Sequence, residues 1–433
     1  MTNPRYPKSA AMLDELGRYV LAEPWPLAVD LAACRGMWLA TVDGPRLHDW
    51  IGQYGSRLLG YNHPRLAEPD YLRRLALAAN HKLANPDFLT SECLDYYRLL
   101  HRLAPECMRN PELEVYAVNS GAEAVENMIK YLINLHHHRR PAPGPRRLIW
   151  FERSFHGRTV LTLNLCEVLD DEAATRGFTG LIGNTHRVPF PSWHADLEEG
   201  ANAARARASL EAIREILERH PGEVVAVISE PMQSAGGQRM PVPGFFGDLS
   251  CLLHEHGVFL AFDEVQTAGG SCGTVFACDQ LDLPHPPQAV AVAKKFGCGA
   301  VYMRERMQDV GVLDSTWGGS LADMVRFCQE WRVVEDERLF ESVPGKTDRL
   351  HQGLLALERD FPQIYRNTRG WGLYQGISTR SPTQRTEILK RAFEEHDTLL
   401  LGAGRQSIRL RPPLDLADED IDRLFQVLRQ VSR

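Results

Sequence analysis

Two short apolar runs end in charged residues. Val258–Phe262 leads into Asp263, Glu264, Val265 and Gln266, and Ala289–Ala293 leads into Lys294 and Lys295. Each run reads as a strand buried on both faces that delivers polar groups at its C-terminal edge. That edge is where ligands sit in open α/β sheets. A carboxylate there can hold a protonated ring nitrogen, and an amine beside it can form an imine. An unpartnered buried Asp263 would be costly, and a cationic ring nitrogen would offset the cost. The competing reading is an Asp that caps a turn. Lysine occurs only at positions 8, 82, 130, 294, 295, 346 and 390. Only Lys294 and Lys295 follow a predicted buried strand.

Other residues gain meaning from that pair. Asn119-Ser120-Gly121-Ala122-Glu123 lies between a predicted strand and a predicted helix. Small residues allow close backbone approach, and free N–H groups at a helix start favour a phosphate. Ser120 as an ordinary N-cap is the plainer alternative. In Phe155-His156-Gly157-Arg158, Phe155 could stack on a planar ring and Arg158 could grip a carboxylate with two prongs. A loop with a surface Arg would look the same. Ser229-Glu230 closes another apolar run, which puts Glu230 at the same edge as Asp263. Ser407-Ile408-Arg409-Leu410-Arg411 turns both arginines to one strand face, with Arg409 as a carboxylate clamp or an edge-strand charge. Thr316, in Ser315-Thr316-Trp317-Gly318-Gly319, could donate to a phosphate.

The elements that must position these residues alternate between about 113 and 320. Strands are predicted at 113–118, 147–151, 224–229 and 258–262, with helices at 122–135, 201–219 and 245–256 between them. This pattern predicts an α/β fold with a mostly parallel central sheet and helices on both faces. Residues 10–60 read as a helix at 11–21 and strand-like pieces at 27–33 and 37–42. Residues 65–110 read as helical, and 321–335 as a long helix. Strand-like pieces return at 370–379, 398–401 and 407–410, with helices at 383–395 and 417–432. The two chain ends are expected to share a small α+β domain: 1–60 and 326–433 around a large cofactor-binding domain at 61–325.

Composition excludes several classes. The chain has 433 residues and a formal charge of −7, with no basic stripe for nucleic acid. No segment approaches ~18 consecutive apolar residues, and Met1–Lys8 has no apolar leader, so a cytoplasmic protein without a membrane partner is expected. Nine cysteines without a C-x-x-C pair read as reduced buried thiols. Three consecutive histidines, His136–His138, do not share one helix face, so they read as a solvated helix end. No metal site is expected.

Taken together, the motifs resemble the class III aminotransferases, pyridoxal 5'-phosphate enzymes of fold type I. The resemblance covers nearly the whole chain: G-Y-N-H-P (60–64), N-S-G-A-E-A-V-E (119–126), F-H-G-R (155–158), S-E-P (229–231), F-D-E-V-Q-T (262–267), A-K-K (293–295) and S-I-R-L-R-P-P-L (407–414). The double lysine before Cys298-Gly299, the S-T-W-G-G turn and F-H-G-R are similar to the lysine 6-aminotransferase branch. That implies transfer of the ε-amino group of L-lysine to 2-oxoglutarate, giving 2-aminoadipate 6-semialdehyde and L-glutamate. The alternative is another class III ω-aminotransferase, acting on ornithine, 4-aminobutyrate, diaminobutyrate or a specialised-pathway amine.

The resemblance also implies roles. Lys294 is the Schiff-base lysine, with Lys295 as second choice. Asp263 pairs with the ring nitrogen, and Gln266 lies near the phenolic oxygen. Ser120, Gly121 and Ala122 hold the phosphate, and Phe155 stacks on the ring. Thr316 reaches the phosphate of the partner subunit, which implies a homodimer with active sites at the interface. Arg158 holds the remote carboxylate. Glu230 pairs with Arg409 when lysine is bound and swings away for 2-oxoglutarate. Two stretches depart from the family pattern: Ala268–Gly273, where G-x-G-R-T-G is usual, and Gln233-Ser234-Ala235, where Q-G-E is usual.

Overall fold

The computed structural model describes residues 5–23, 25–81, 84–141, 144–167, 177–178 and 180–433. The first four residues, Lys82 and residues 142–143 of the proline-rich connection lie outside them. A seven-stranded sheet forms the centre. Its strands are β3 (Glu114–Val118), β4 (Arg147–Phe151), β5 (Thr185–Val188), β6 (Val224–Ser229), β7 (Phe259–Asp263), β8 (Ala289–Val292) and β9 (Gly299–Met303), in the order β3-β9-β8-β7-β6-β4-β5. Neighbours from β8 through β5 pair in parallel, and β9 alone runs the opposite way, antiparallel to both β8 and β3.

Burial alternates across the sheet as side chains in strands must. Ile149, Phe151, Val227, Leu260 and Phe262 join a core containing helices Phe245–His256 and Leu321–Asp336. Leu148, Trp150, Ala226, Ile228 and Ala261 face the opposite way, onto helix Gly121–Arg139. Covering both faces forces the continuous apolar runs seen in the sequence. It also leaves the C-terminal ends of β6, β7 and β8 as the place where Glu230, Asp263 and Lys294 emerge.

The two chain ends do assemble together. Strands β1 (Trp38–Ala40) and β2 (Arg46–Asp49) form a sheet with β12 (Thr398–Leu399), where Thr398 pairs with His48 and Leu399 with Asp49. A second sheet orders β10 (Tyr365–Trp371), β11 (Tyr374–Thr379), β14 (Ser407–Arg409) and β13 (Leu401–Ala403). His48 ties this region to the last helix, Asp418–Val431, through a 2.9 Å contact between its Nε2 and Asp420.

Several expectations need correcting. The strand expected at 370–379 is a hairpin of β10 and β11 that turns at Gly372 (φ +54°), where a Cβ would meet Ser271 O at 2.4 Å. The first helix is Pro7–Leu16 rather than 11–21. The piece expected at 27–33 contributes only the bridge Val29–Thr41. Strands β5 and β9 and the helix Leu339–Asp360 were not anticipated. Among the described residues, no helix is long and apolar enough to cross a membrane.

Candidate active site

The ends of β6, β7 and β8 open into a cleft of about 820 Å³, its mouth included. Ser120, Gly121, Ala122, Phe155, Glu230, Asp263, Gln266 and Lys294 all line it.

Asp263 is the last residue of β7 and is 4% exposed. Its Oδ1 accepts the Val265 N–H at 3.0 Å. Its Oδ2 lies 2.7 Å from Nδ1 of His156, which must carry the proton to bond a carboxylate. His156 is buried, lines the cleft, and has no partner for Nε2 among the described residues. The sequence placed His156 inside a recognised motif but offered no role for it. A histidine in a loop carries no local mark of the carboxylate it will meet 107 residues later.

The two lysines part company at the end of β8. Lys294 opens a single helical turn with φ +55°, an uncommon conformation for a side-chain-bearing residue. Lys294 lines the cleft, and burial pushes its amine down to about 7. The positive charges of Arg409 and Arg411 push the same way, while Asp263 and Glu230 oppose them. Lys295 is 1% exposed and points away. Its Nζ donates to Gln266 O at 3.1 Å and Ala268 O at 3.3 Å, 4.5 Å from the centre of the Tyr374 ring. Burial pushes this amine down to about 7 as well, so position is what separates the two lysines: an amine so bound braces the turn after β7 and is not offered to a ligand.

Helix Gly121–Arg139 begins at the cleft, with Ser120 as its N-cap accepting the Glu123 N–H. Among the described residues no acceptor takes the N–H of Gly121 or Ala122. Orphan donors at a helix start bind anions. The approach is close: a Cβ on Gly121 would sit 2.7 Å from Val265, and one on Gly157 (φ +138°) would sit 2.5 Å from Ala122.

Glu230 emerges from β6 almost fully buried. Its Oε1 accepts the Phe155 N–H and its Oε2 the Ser234 N–H, each at 3.1 Å. Burial pushes its carboxyl up to about 7, opposed by His156 and reinforced by Asp263. Gln266 accepts from Arg409 at 3.3 Å and from Arg411 at 3.0 Å, both on Oε1. Arg409 also donates to Gly402 O. Arg411 is 1% exposed, donates to Gln238 and lies 4.2 Å from the Tyr374 ring centre. Both arginines do share a side, as their spacing predicted, and they meet at one glutamine oxygen.

Three expected site residues stand outside the lining. Arg158 and Thr316 are exposed, and Arg409 lies behind Gln266. Of the two unusual stretches, Ser234 holds Glu230, while Ala268–Gly273 packs on the C-terminal region: Gly270 would meet Phe340 at 2.4 Å if it carried a Cβ.

A buried acid, a half-buried amine and an anion-seeking helix start around one cleft fit a group with a ring cation, an aldehyde and a phosphate. Known proteins agree. The family profile described as aminotransferase class-III matches residues 22–431. An L-lysine-epsilon aminotransferase of Streptomyces clavuligerus is 32% identical over 430 residues, covering 95% of this chain and 92% of its own. An acetylornithine aminotransferase of Agrobacterium fabrum is 31% identical over 394 residues, covering 89% of this chain and 88% of its own. Among solved structures, a lysine aminotransferase from M. tuberculosis in the internal aldimine form superposes with a TM-score of 0.91 at 29% identity. It covers 98% of this chain and 99% of its own. The chain belongs to the class III aminotransferases, pyridoxal-phosphate enzymes of fold type I.

Proposed function

We propose that this chain moves the ε-amino group of L-lysine to 2-oxoglutarate, giving 2-aminoadipate 6-semialdehyde and L-glutamate. The observation that carries the proposal is likeness over nearly the full chain to relatives named for lysine. A second reading, another ω-amino donor, is favoured by the nearly equal identity to the acetylornithine enzyme and by the unusual Ser234-Ala235 beside Glu230.

When bound, pyridoxal phosphate supplies an aldehyde to receive the amine and a ring to withdraw electrons. Asp263, oriented by His156, holds the ring nitrogen. The N–H groups of Gly121 and Ala122, at the Ser120 cap, hold the phosphate. Phe155 covers one ring face and Gln266 lies near the phenolic oxygen. Lys294 binds the cofactor and then serves as the base. An amine that loses its proton near pH 7 could take the proton from Cε of lysine and hold it for return to the carbon on the other side of the transferred nitrogen. Glu230 and Arg409 select between the substrates: Glu230, held here by the Phe155 and Ser234 N–H groups, gives up its proton and pairs with the arginine when lysine is bound, and moves aside for the carboxylate of 2-oxoglutarate. Arg158 holds the distal carboxylate end. Thr316, exposed on its own chain, reaches the phosphate of the facing subunit in a homodimer. Domain boundaries near residues 60 and 325 separate the cofactor-binding region from the small domain built by the chain ends.

A panel of amine donors with 2-oxoglutarate tests the donor. Lysine is expected to give glutamate at the highest kcat/KM. Turnover of ornithine, 4-aminobutyrate or acetylornithine without lysine turnover overturns the proposal and establishes the second reading.

A further inference from the structure

Behind the turn that follows β7, two short helical turns bring together residues 171 apart in sequence. Cys107 lies in the turn Glu106–Met108, and Cys278 and Asp279 lie in the turn Ala277–Gln280. The sulfurs are 3.8 Å apart. Both sulfurs and an Asp279 carboxylate oxygen all lie within 4.8 Å of one another. Two thiolates on one tetrahedral zinc ion, each at about 2.3 Å, stand about 3.8 Å apart. A disulfide would bring the sulfurs to about 2.05 Å.

One hydrogen bond inside the cluster and a set from Glu264 to the turn that carries Cys278 hold the groups in place, as the surroundings of metal sites do. Asp279 Oδ1 accepts the Cys107 N–H at 3.1 Å. Glu264, wholly buried, accepts the Cys278 N–H at 2.8 Å on Oε1. Its Oε2 takes the Ala277 N–H at 2.8 Å and the Thr267 hydroxyl at 2.7 Å. Cys278 is fully buried, while Cys107 and Asp279 are half-buried, so a cation and a water can reach the cluster. Two sulfurs and one oxygen suit zinc or cadmium rather than magnesium or calcium.

We propose that Cys107, Cys278 and Asp279 bind one zinc-class cation, with water as the fourth ligand. The cation ties the turn after helix Ser91–Arg102 to the segment that follows the Asp263-Glu264 strand end. Its place is structural. Thr267, which both lines the cleft and bonds Glu264, is the one-residue link to the active site.

The test uses full-length holoenzyme stripped with chelator and dialysed against cadmium or zinc. Nine cysteines make a background, so the comparison is with the Cys107→Ser/Cys278→Ser variant. Wild type is expected to hold one more cation per chain than the variant. It should show a thiolate-to-cadmium ultraviolet band that the variant lacks, and a Tm several degrees higher with zinc than without. Asp279→Asn is expected to weaken binding at least tenfold. Equal metal content in wild type and variant overturns the proposal. So does a pair that peroxide oxidises to a disulfide while no cation binds. If the double variant does not fold, Asp279→Asn and Cys107→Ala carry the same comparison singly.

Discussion

Replacing Glu230 by Gln keeps the side-chain volume and changes which atoms accept hydrogen bonds. Both carboxylate oxygens accept a backbone N–H, from Phe155 and from Ser234. A Gln amide has one acceptor, so one buried N–H is left facing an NH2 group, at a cost of about 1–3 kcal/mol. The opposing effect is titration. Folded Glu230 keeps its proton up to about 7, whereas the unfolded chain releases it near 4.5. Between those values the native state binds a proton that the unfolded state does not. Wild-type stability therefore falls as pH rises, by about 1.4 kcal/mol per unit and about 3 kcal/mol over the whole window. Gln does not titrate. Glu230→Gln is thus expected to be less stable than wild type by about 1–3 kcal/mol at pH 5, and as stable or slightly more stable at pH 8. Urea unfolding of the cofactor-free proteins at several pH values measures the difference, and titrations common to both chains cancel. A difference that stays constant within about 0.5 kcal/mol from pH 5 to 8 would refute the claim that burial holds Glu230 protonated.

Four other outcomes are expected. Lys294→Ala should retain no cofactor after borohydride reduction and should make no glutamate. Lys295→Met should still be fixed by borohydride but unfold more easily by about 2–4 kcal/mol, since Gln266 O and Ala268 O lose their donor; the reverse pattern would exchange the two roles. His156→Phe removes the donor to Asp263, and equilibrium dialysis should show pyridoxal phosphate bound about ten-fold more weakly or worse, from a charged hydrogen bond worth about 1.5–3 kcal/mol. Gly157→Ala should lower both Tm and cofactor occupancy, because the new methyl meets Ala122 at 2.5 Å on a backbone at φ +138°.

Much of this site was legible because buried parallel strands write themselves as unbroken apolar runs. Phe259–Asp263 and Ala289–Val292 therefore announced both their own position and the residues at their ends. The strand pattern alone left Lys294 and Lys295 equivalent, and only the family resemblance favoured Lys294; a positive φ at that residue is not written in any local pattern. Strand β5, Thr185-His186-Arg187-Val188, lies at the sheet edge with only Val188 buried, so it carries no apolar signature. The β10–β11 hairpin looked continuous because Gly372 is a single glycine in a strand-like stretch, and its turn answers to Ser271 a hundred residues away. The Cys107–Cys278 contact was hidden for the same reason: neither neighbourhood contains the other half.

The pairing of β2 with β12 also sets an order on synthesis. His48 waits for Thr398, about 350 residues later in the chain. At about 5–20 residues per second, that is roughly 20–70 s during which the early strands have one edge unpaired. The central sheet, complete at Met303, can form within that interval. A chain that stops between Asp336 and Thr398 would therefore hold a covered central sheet beside an exposed strand edge, the kind of surface chaperones and proteases inspect.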